Sequence, residues 1–110
     1  MTLHELCAIL RDLGLPYAQV QWDTSDGSTP PPLPYVLLVP GTSADVMADG
    51  QNYQRVTPYT CELYTRGRDM VLEGRIEGAL AAVPTQYVRR TVPLGGGVLE
   101  TTYTVTVLGP

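Results

Sequence analysis

Apolar residues at helical spacing open the chain. They predict an amphipathic helix with a single buried stripe, formed by Leu3, Leu6, Cys7, Leu10 and Leu13. Thr2 stands before the stripe and Glu5 follows three residues later, which is the Thr-x-x-Glu capping box of a helix start. Gly14 and Pro16 predict where the helix ends, because glycine favours a C-terminal stop and proline cannot continue the helix.

Three extended segments follow the first helix. Tyr17–Trp22 reads as a short strand, and the Ser-, Thr-, Gly- and Pro-rich stretch Asp23–Pro34 reads as a loop of polyproline character. Tyr35–Val39 is a continuous apolar run, which is typical of a central strand covered on both faces. Pro40–Asn52 is predicted to be a long irregular connection that contains a tight-turn dipeptide, Asp49-Gly50.

The segment Tyr53–Thr65 has the clearest two-residue period in the chain. Its alternation predicts a strand with a buried face of Tyr59, Cys61 and Leu63 and an opposite face of Thr60, Glu62 and Tyr64. The face of Thr60, Glu62 and Tyr64 is predicted to be available for another contact. Proline cannot donate a ladder hydrogen bond, so Pro58 predicts an edge, a bulge or the junction of two shorter strands at that point.

A second helix is predicted over Asp69–Val83. Its apolar stripe consists of Leu72, Ile76, Ala79, Leu80 and Val83. Two closing strands, Thr85–Val92 and Leu99–Leu108, form a hairpin around the tip Leu94-Gly95-Gly96-Gly97. The predicted order is therefore helix, three strands, helix, two strands. Helices segregated against a mainly antiparallel sheet make a single α+β domain over residues 1–110.

Composition narrows the possible functions. The chain has 110 residues and a formal net charge of −4, with seven arginines and no lysine. An acidic chain is a poor nucleic-acid binder, because affinity for nucleic acid comes largely from cations that neutralise phosphates. No apolar run is long enough to span a membrane, and no secretory signal is recognisable, so folding in a cytoplasm is expected. Cys7 and Cys61 are predicted to be free buried thiols and not a disulfide.

Candidate catalytic groups do not form a constellation. His4 lies three residues from Cys7, but no third orienting group accompanies them, so a solvated histidine is preferred over a nucleophile pair. Glu73 and Glu77 share a helix face and are interpreted as a solvated acidic face or as partners of a neighbour's arginine. The Gly95-Gly96-Gly97 tip lies between strands and is not a phosphate loop. Neither an enzyme activity nor a metal or other cofactor is predicted.

Small residues recur at intervals of four on the second helix, at Gly74, Gly78 and Ala82. A glycine inside a helix costs about 1 kcal/mol relative to alanine. One explanation is that the apolar stripe of the helix tolerates these glycines. The other is that they form a smooth groove against which the backbone of a neighbouring subunit lies closely.

A series of short motifs from Tyr17 to the C-terminus resembles the tail-terminator and tail-completion (head-tail joining) proteins of long-tailed bacteriophages. The series begins with Pro-Pro-x-Pro-Tyr at residues 31–35 and Leu-Val-Pro-Gly at 38–41. It continues with Ala-Asp-Gly-x-x-Tyr at 48–53, Glu-Leu-Tyr-Thr at 62–65, a charged helix and a Tyr- and Thr-rich hairpin. These are packing and turn features, so the resemblance rests on their order.

The resemblance implies a structural virion protein of the tail or neck. It implies a homo-hexameric ring that caps the tail tube, contacts the tube protein and a head-completion or connector protein, and lets DNA pass without binding it. Candidate subunit-interface residues are Gly74, Gly78, Ala82, Arg66, Arg68, Glu73 and Glu77. Candidate residues of a loop facing the lumen or a partner are Ala44, Asp45, Met47, Asp49 and Gly50. The alternatives are a head-side connector and a small non-catalytic ligand-binding module with 40–52 as its lid.

Overall fold

A computed structural model describes residues 1–48, 51–83 and 85–109 of the chain, and within 45–48 and 51–53 it describes the backbone alone. The elements, in chain order, are α1 (Leu3–Asp12), β1 (Tyr17–Gln19), β2 (Tyr35–Pro40), β3 (Ala44–Ala48), β4 (Gln51–Arg66), α2 (Met70–Ala82), β5 (Tyr87–Gly95) and β6 (Val98–Leu108). The predicted α+β class is confirmed. The predicted helices and strands occur in the predicted order, and β3 is an additional strand.

The described strands form one sheet of order β1-β2-β4-β6-β5, and β3 pairs with β4 next to β2. Among the described strands, β1 and β2 run parallel and all the other pairs are antiparallel. The helix α2 connects β4 to β5, which lie on either side of β6. This places the longest strand, β4, and the last strand, β6, at the centre of the sheet.

Both helices pack on the same face of the sheet, called here the inner face. The core consists of Leu6, Leu10, Leu15, Val36, Leu38, Cys61, Leu63, Leu72, Ile76, Leu80, Tyr103, Val105 and Val107. Alternate residues of β2 are therefore buried, and Tyr35, Leu37 and Val39 between them are only half-buried. The prediction that β2 is covered on both faces is wrong for this chain by itself, because no described element covers the outer face of β2 along its length.

The first helix begins and ends as its sequence predicts. The Thr2 hydroxyl accepts a hydrogen bond from the Glu5 amide at 3.1 Å, and the Glu5 carboxylate accepts one from the Thr2 amide at 3.1 Å. Both bonds satisfy amides that have no partner within the helix. Gly14 has φ +73, a conformation that glycine adopts without a Cβ clash, and it ends the helix.

The segment predicted as an irregular connection contains β3. This strand pairs antiparallel with the first part of β4, from Ala44 opposite Val56 to Ala48 opposite Gln51. The prediction of irregular structure is wrong here, since backbone pairing with β4 outweighs the weak local strand preference of the segment. Because β6 pairs with β4 only from Val56 onward, β3 and residues 51–55 form a two-stranded arm beyond the main sheet. Asp49 and Gly50, the predicted turn, lie outside the described residues.

Pro58 lies within β4 without interrupting it. Its carbonyl accepts a hydrogen bond from the Gly41 amide at 2.7 Å, so its ring nitrogen also faces β2 and β3. On that side β2 ends opposite Tyr59 and β3 begins opposite Val56, which leaves a gap where no donor is needed. The predicted junction of two shorter strands at Pro58 is therefore wrong, because β4 is continuous there. Of the predicted alternatives the local edge applies, since neither β2 nor β3 pairs with β4 at Pro58. A Cβ at Gly41 would lie 2.9 Å from the Pro58 ring, so the close approach requires glycine.

The first strand is shorter than its alternating pattern suggests. It covers Tyr17–Gln19, and Val20 follows with φ 68, a backbone conformation unusual for a β-branched residue. Val20 is exposed, and its amide still donates to the Leu38 carbonyl at 2.8 Å. The chain therefore leaves the sheet at Val20, before the predicted end at Trp22.

Both cysteines are free thiols, as predicted, but only Cys61 is buried and Cys7 is half-buried. Burial raises the pKa of the Cys61 thiol to about 12. Because the thiolate is the reactive form, we expect Cys61 to react at pH 8 at least about 10³-fold more slowly in the folded chain than after unfolding. A Cys7→Ala variant isolates this thiol, and a colorimetric thiol reagent measures its rate. Equal rates in the two states would contradict the burial of Cys61.

Candidate interaction surfaces

The helix α2 lies on the inner face of the sheet through one apolar side. Asp69 caps it by accepting a hydrogen bond from the Leu72 amide at 3.0 Å. Leu72, Ile76 and Leu80 are buried in the core. The predicted small-residue stripe, Gly74, Gly78 and Ala82, is on the opposite, exposed side. The stripe therefore does not serve packing within the chain.

The exposed side of α2 is unusually apolar. Met70 and Val71 are 68% and 77% exposed, and a Cβ built on Gly74 or Gly78 has no atom within 4 Å apart from the neighbouring backbone of the helix itself. The charged residue on this side is Arg75, which forms no ion pair with any described residue. Exposed apolar surface of this kind commonly marks an interaction site. We call Met70, Val71, Gly74, Arg75, Gly78 and Ala82 the outer α2 face.

The two glutamates of α2 point to the sheet and not to solvent. Glu73 is only 4% exposed, and it pairs with Arg68 through both guanidinium Nε and Nη2 at 3.3 Å. Arg89 of β5 lies 3.7 Å from Glu73 and 3.2 Å from Glu77. The interpretation of these carboxylates as a solvated acidic face is wrong. Their i, i+4 spacing was recognised, but the cations that neutralise them belong to the same chain.

Two tyrosines complete this polar cluster between α2 and the β5–β6 hairpin. The hydroxyls of Tyr87 and Tyr103 donate to the Glu77 carboxylate at 3.2 and 3.3 Å. Burial, reinforced by the charge of Glu77, raises the pKa of both phenols. Attraction to Glu77 raises the pKa of Arg89. Both phenols therefore stay neutral and Arg89 stays charged at neutral pH. The hydrogen bonds and ion pairs of the cluster hold α2 on the sheet.

Arg66 is placed at the hairpin tip. Its Nη1 donates to the Gly96 carbonyl at 3.4 Å, and the neighbouring Gly67 amide donates to the Gly97 carbonyl at 2.7 Å. Glycines 95–97 have positive φ angles, which allow this turn. Of the seven predicted interface residues, Arg66, Arg68, Glu73 and Glu77 thus make contacts within the chain, and Gly74, Gly78 and Ala82 lie free on the outer α2 face.

The outer face of the sheet carries the residues that alternate with the core. Three cross-strand rows are given by the register of β2, β4, β6 and β5: Val39–Thr60–Thr104–Val88, Leu37–Glu62–Thr102–Arg90 and Tyr35–Tyr64–Glu100–Val92. Val88 is 71% exposed. The predicted offered face of β4, formed by Thr60, Glu62 and Tyr64, is confirmed as the side away from the helices. We call these three rows the outer sheet face.

An acidic pair lies near the centre of the outer sheet face. The Tyr64 hydroxyl donates to the Glu62 carboxylate at 2.8 Å, and burial together with Glu62 and Glu100 raises the pKa of this phenol. Neither glutamate forms an ion pair with a described residue. The rings of Trp22 and Tyr35 pack edge-on with centroids 5.3 Å apart, and the ring centroids of Tyr35 and Tyr64 are also 5.3 Å apart. A row of aromatic rings therefore borders the two glutamates.

The predicted lumen or partner residues belong to the two-stranded arm. Ala44, Asp45 and Met47 are in β3, and a register shift lies between Val46 and Met47. Asp49 and Gly50 lie outside the described residues. Ala44, Asp45 and Met47 thus lie on a strand pair that projects beyond the main sheet. The molecule extends 52 Å along its longest axis and 25 Å along its shortest.

A cleft of about 630 Å³ lies beside the proline-rich loop. It is lined by Pro30, Pro31, Pro32, Leu33, Pro34, Tyr35, Thr65, Arg66, Asp69 and Val98. Over the described ranges, no group of three or more histidine, cysteine, aspartate or glutamate side chains is arranged to hold a metal ion. No described helix has the length and hydropathy needed to cross a membrane. His4 is exposed and Cys7 packs against the core.

Sequence reasoning missed two features of these surfaces. The first is the buried ion cluster, since Arg68, Glu73 and Arg89 come from three separate elements and meet only in the fold. The second is the Glu62 and Glu100 pair. These residues belong to different strands, and the register between β4 and β6 makes them neighbours on the outer sheet face. No protein-family model matches this chain, and no curated protein matches its sequence.

Proposed function

We propose that this protein is a ring-forming structural component of a bacteriophage tail or neck, acting as a tail terminator. A homo-hexamer of the chain caps the tail tube, contacts the tube protein on one side and a head-completion protein on the other, and lets DNA pass. The observation that carries the proposal is the presence of two uncovered, partly apolar surfaces on one small domain. Exposed apolar patches of this kind mark protein–protein contacts.

The resemblance in motif order supports the same proposal. The motifs of 31–35, 38–41 and 62–65 lie at the ends of β2 and β4, where they shape the entry and exit of the two strands. Charge supports it too, because a six-subunit ring carries six times the net charge of −4 and does not grip a polyanion in its lumen. The virion location follows from this proposal.

The β3–β4 arm supports a role in assembly. A two-stranded ribbon is marginally stable by itself in water, and beyond Val56 this arm has little support from the main sheet. Contact with a partner would cover it. We propose that the arm reaches the tube or the adjacent subunit when the ring forms.

The ligand-binding alternative has one observation in its favour. The volume of the cleft beside Pro30–Pro34, about 630 Å³, is in the range of small-molecule sites. The form considered from the sequence uses residues 40–52 as a lid. In the structure that segment contains β3, which pairs with β4, and none of its described residues lines this cleft. The cleft has few convergent polar groups, namely Thr65, Arg66 and Asp69, so assembly remains the preferred function.

The decisive experiment uses the purified chain with and without tubes assembled from a bacteriophage tail tube protein. Light scattering gives the mass of the free protein, and electron microscopy shows what it binds. We expect six-fold rings at the ends of the tubes. Binding to heads and not to tubes would assign the head-side connector role. A chain that stays monomeric and never decorates either structure would refute the proposal.

Gly78→Leu tests whether the outer α2 face is a subunit contact. The space around Gly78 is open, so leucine fits the isolated subunit and favours the helix by up to about 1 kcal/mol. At a close contact, overpacking costs about 1–3 kcal/mol per site. We expect a folded subunit of unchanged or higher melting temperature that fails to cap tubes. Gly78→Ala is the matched control, with the same helix gain and little added bulk; normal capping by Gly78→Leu would show that the glycine is merely tolerated.

A further inference from the structure

The outer α2 face and the outer sheet face point in opposite directions. Leu72, Ile76 and Leu80 hold α2 against the inner face of the sheet, so the far side of the helix faces away from the sheet. The outer sheet face is turned to the other side of the molecule. Two different patches on opposite sides of one subunit form head-to-tail contacts, in which the same pair of patches repeats from copy to copy.

Charge on the two faces is complementary. The outer α2 face carries one cation, Arg75, without an ion-pair partner among the described residues. The outer sheet face carries Glu62 and Glu100 near its centre, half-buried and also without a cation. Its own cations, Arg66 and Arg90, lie on the last residue of β4 and on the edge strand. A half-dehydrated acidic pair gains most from a cation that arrives together with apolar surface, because water is then excluded from the contact.

Shape is also complementary. Gly74, Gly78 and Ala82 have no side chain beyond Cβ, so the helix backbone can approach closely. Half of the residues in the three rows of the sheet are threonine or valine, and together with Leu37 they form a low surface that Tyr35 and Tyr64 border on one side. Val71 and Met70 supply apolar area at one end of the helix. The two faces therefore fit each other, so a second copy of this chain is the partner that both faces accept.

We propose that the outer α2 face of one copy docks on the outer sheet face of the next, with Arg75 held between Glu62 and Glu100 of the neighbour. This inference rests on the proposed ring function and names the contact that builds the ring. Each copy uses its helix towards one neighbour and its sheet towards the other. The contact closes into a ring when the rotation per subunit divides a full turn.

Disulfide trapping tests which faces meet. Two variants, Val71→Cys on the helix and Thr102→Cys beside the acidic pair, are made in a Cys7→Ala background. Each then has one reactive cysteine, because the remaining Cys61 is buried and its pKa is raised to about 12. One variant carries a mass tag. We expect mild oxidation of the mixture to give the mixed dimer at least about 10-fold more than either variant gives alone. The reaction is run on the free protein and on tube ends.

Other cross-linking products overturn the inference while leaving the function standing. Rings that yield Val71–Val71 dimers show a symmetric helix contact, and rings that yield no mixed dimer show that other surfaces meet. A protein that forms no ring and caps no tube refutes the proposed function and the contact together. The two failures are thus distinguished by electron microscopy of the same samples.

Charge reversal gives an independent readout. We expect Arg75→Glu to weaken self-association at least about 10-fold, and the double variant Arg75→Glu/Glu62→Arg to restore most of it, because attraction returns with reversed sign. Arg11→Glu on α1 is the matched control, since it makes the same change in net charge at an exposed position. Equal weakening by Arg75→Glu and Arg11→Glu, or no rescue by the double variant, contradicts the pairing.

Discussion

Replacing both Arg68 and Arg89 with alanine is expected to destabilise the fold by about 3–5 kcal/mol, which is the usual cost of leaving a buried charge unpaired. Glu73 is the reason. Its carboxylate is almost fully buried, and the two arginines are the cations within 4 Å of it among the described residues. Since small domains are stable by about 5–15 kcal/mol, the loss is a large fraction of the total.

The cluster also predicts how this loss is reversed. Adding Glu73→Leu to the double variant removes the unpaired charge and fills the site with apolar volume, so we expect most of the stability to return. Urea denaturation measures all three chains. The control is Arg11→Ala/Arg75→Ala, which removes the same charge from exposed positions and should change stability by less than about 0.5 kcal/mol. A double variant as stable as this control would show that Glu73 is solvated.

Leu38→Ala is expected to cost about 2–5 kcal/mol, whereas Leu37→Ala should cost much less in the isolated subunit. Leu38 is 0% exposed and lies under the helices, so truncation leaves a cavity in a packed core. Leu37 is the next residue on β2, but its side chain lies half-buried on the outer sheet face. The pair compares the two faces of one strand with the same chemical change.

Assembly should reverse this order of effects. If the outer sheet face receives a neighbouring subunit, Leu37→Ala weakens ring formation while its melting temperature stays close to that of the parent chain. Thermal unfolding and light scattering on the two variants measure stability and association separately. Equal destabilisation by the two substitutions would mean that the outer face of β2 is already covered within the subunit.

The continuous apolar run of β2 predicts a strand whose two faces are both covered by other parts of the structure. In the isolated chain only Val36 and Leu38 are buried, and Leu37 and Val39 remain half-exposed. The pattern was recognised correctly, but a sequence does not state whether a covering layer comes from the same chain or from another. The proposed neighbour would supply the second layer, and the Leu37 measurement tests this.

The sequence was sufficient to predict those helices and strands whose characteristic residues lie close together along the chain. The Thr2 and Glu5 capping box and the Gly14 stop predicted the ends of α1, and the apolar stripe predicted α2, to within about one residue. The alternation in β4 predicted which of its residues face the core. In each case the decisive interactions are short-range hydrogen bonds or a repeat that matches the geometry of the element.

Contacts between distant residues decided the rest. β3 forms because its backbone pairs with β4, and Pro58 is accommodated because β2 ends and β3 begins beside it. The buried ion cluster joins Arg68, Glu73 and Arg89 across a loop, a helix and a strand. The sequence by itself determined the helices, the strand periods and the apolar faces, since these depend on local geometry. Register and burial, which made Glu73 internal and left the outer α2 face and the outer sheet face uncovered, were decided only by the tertiary structure.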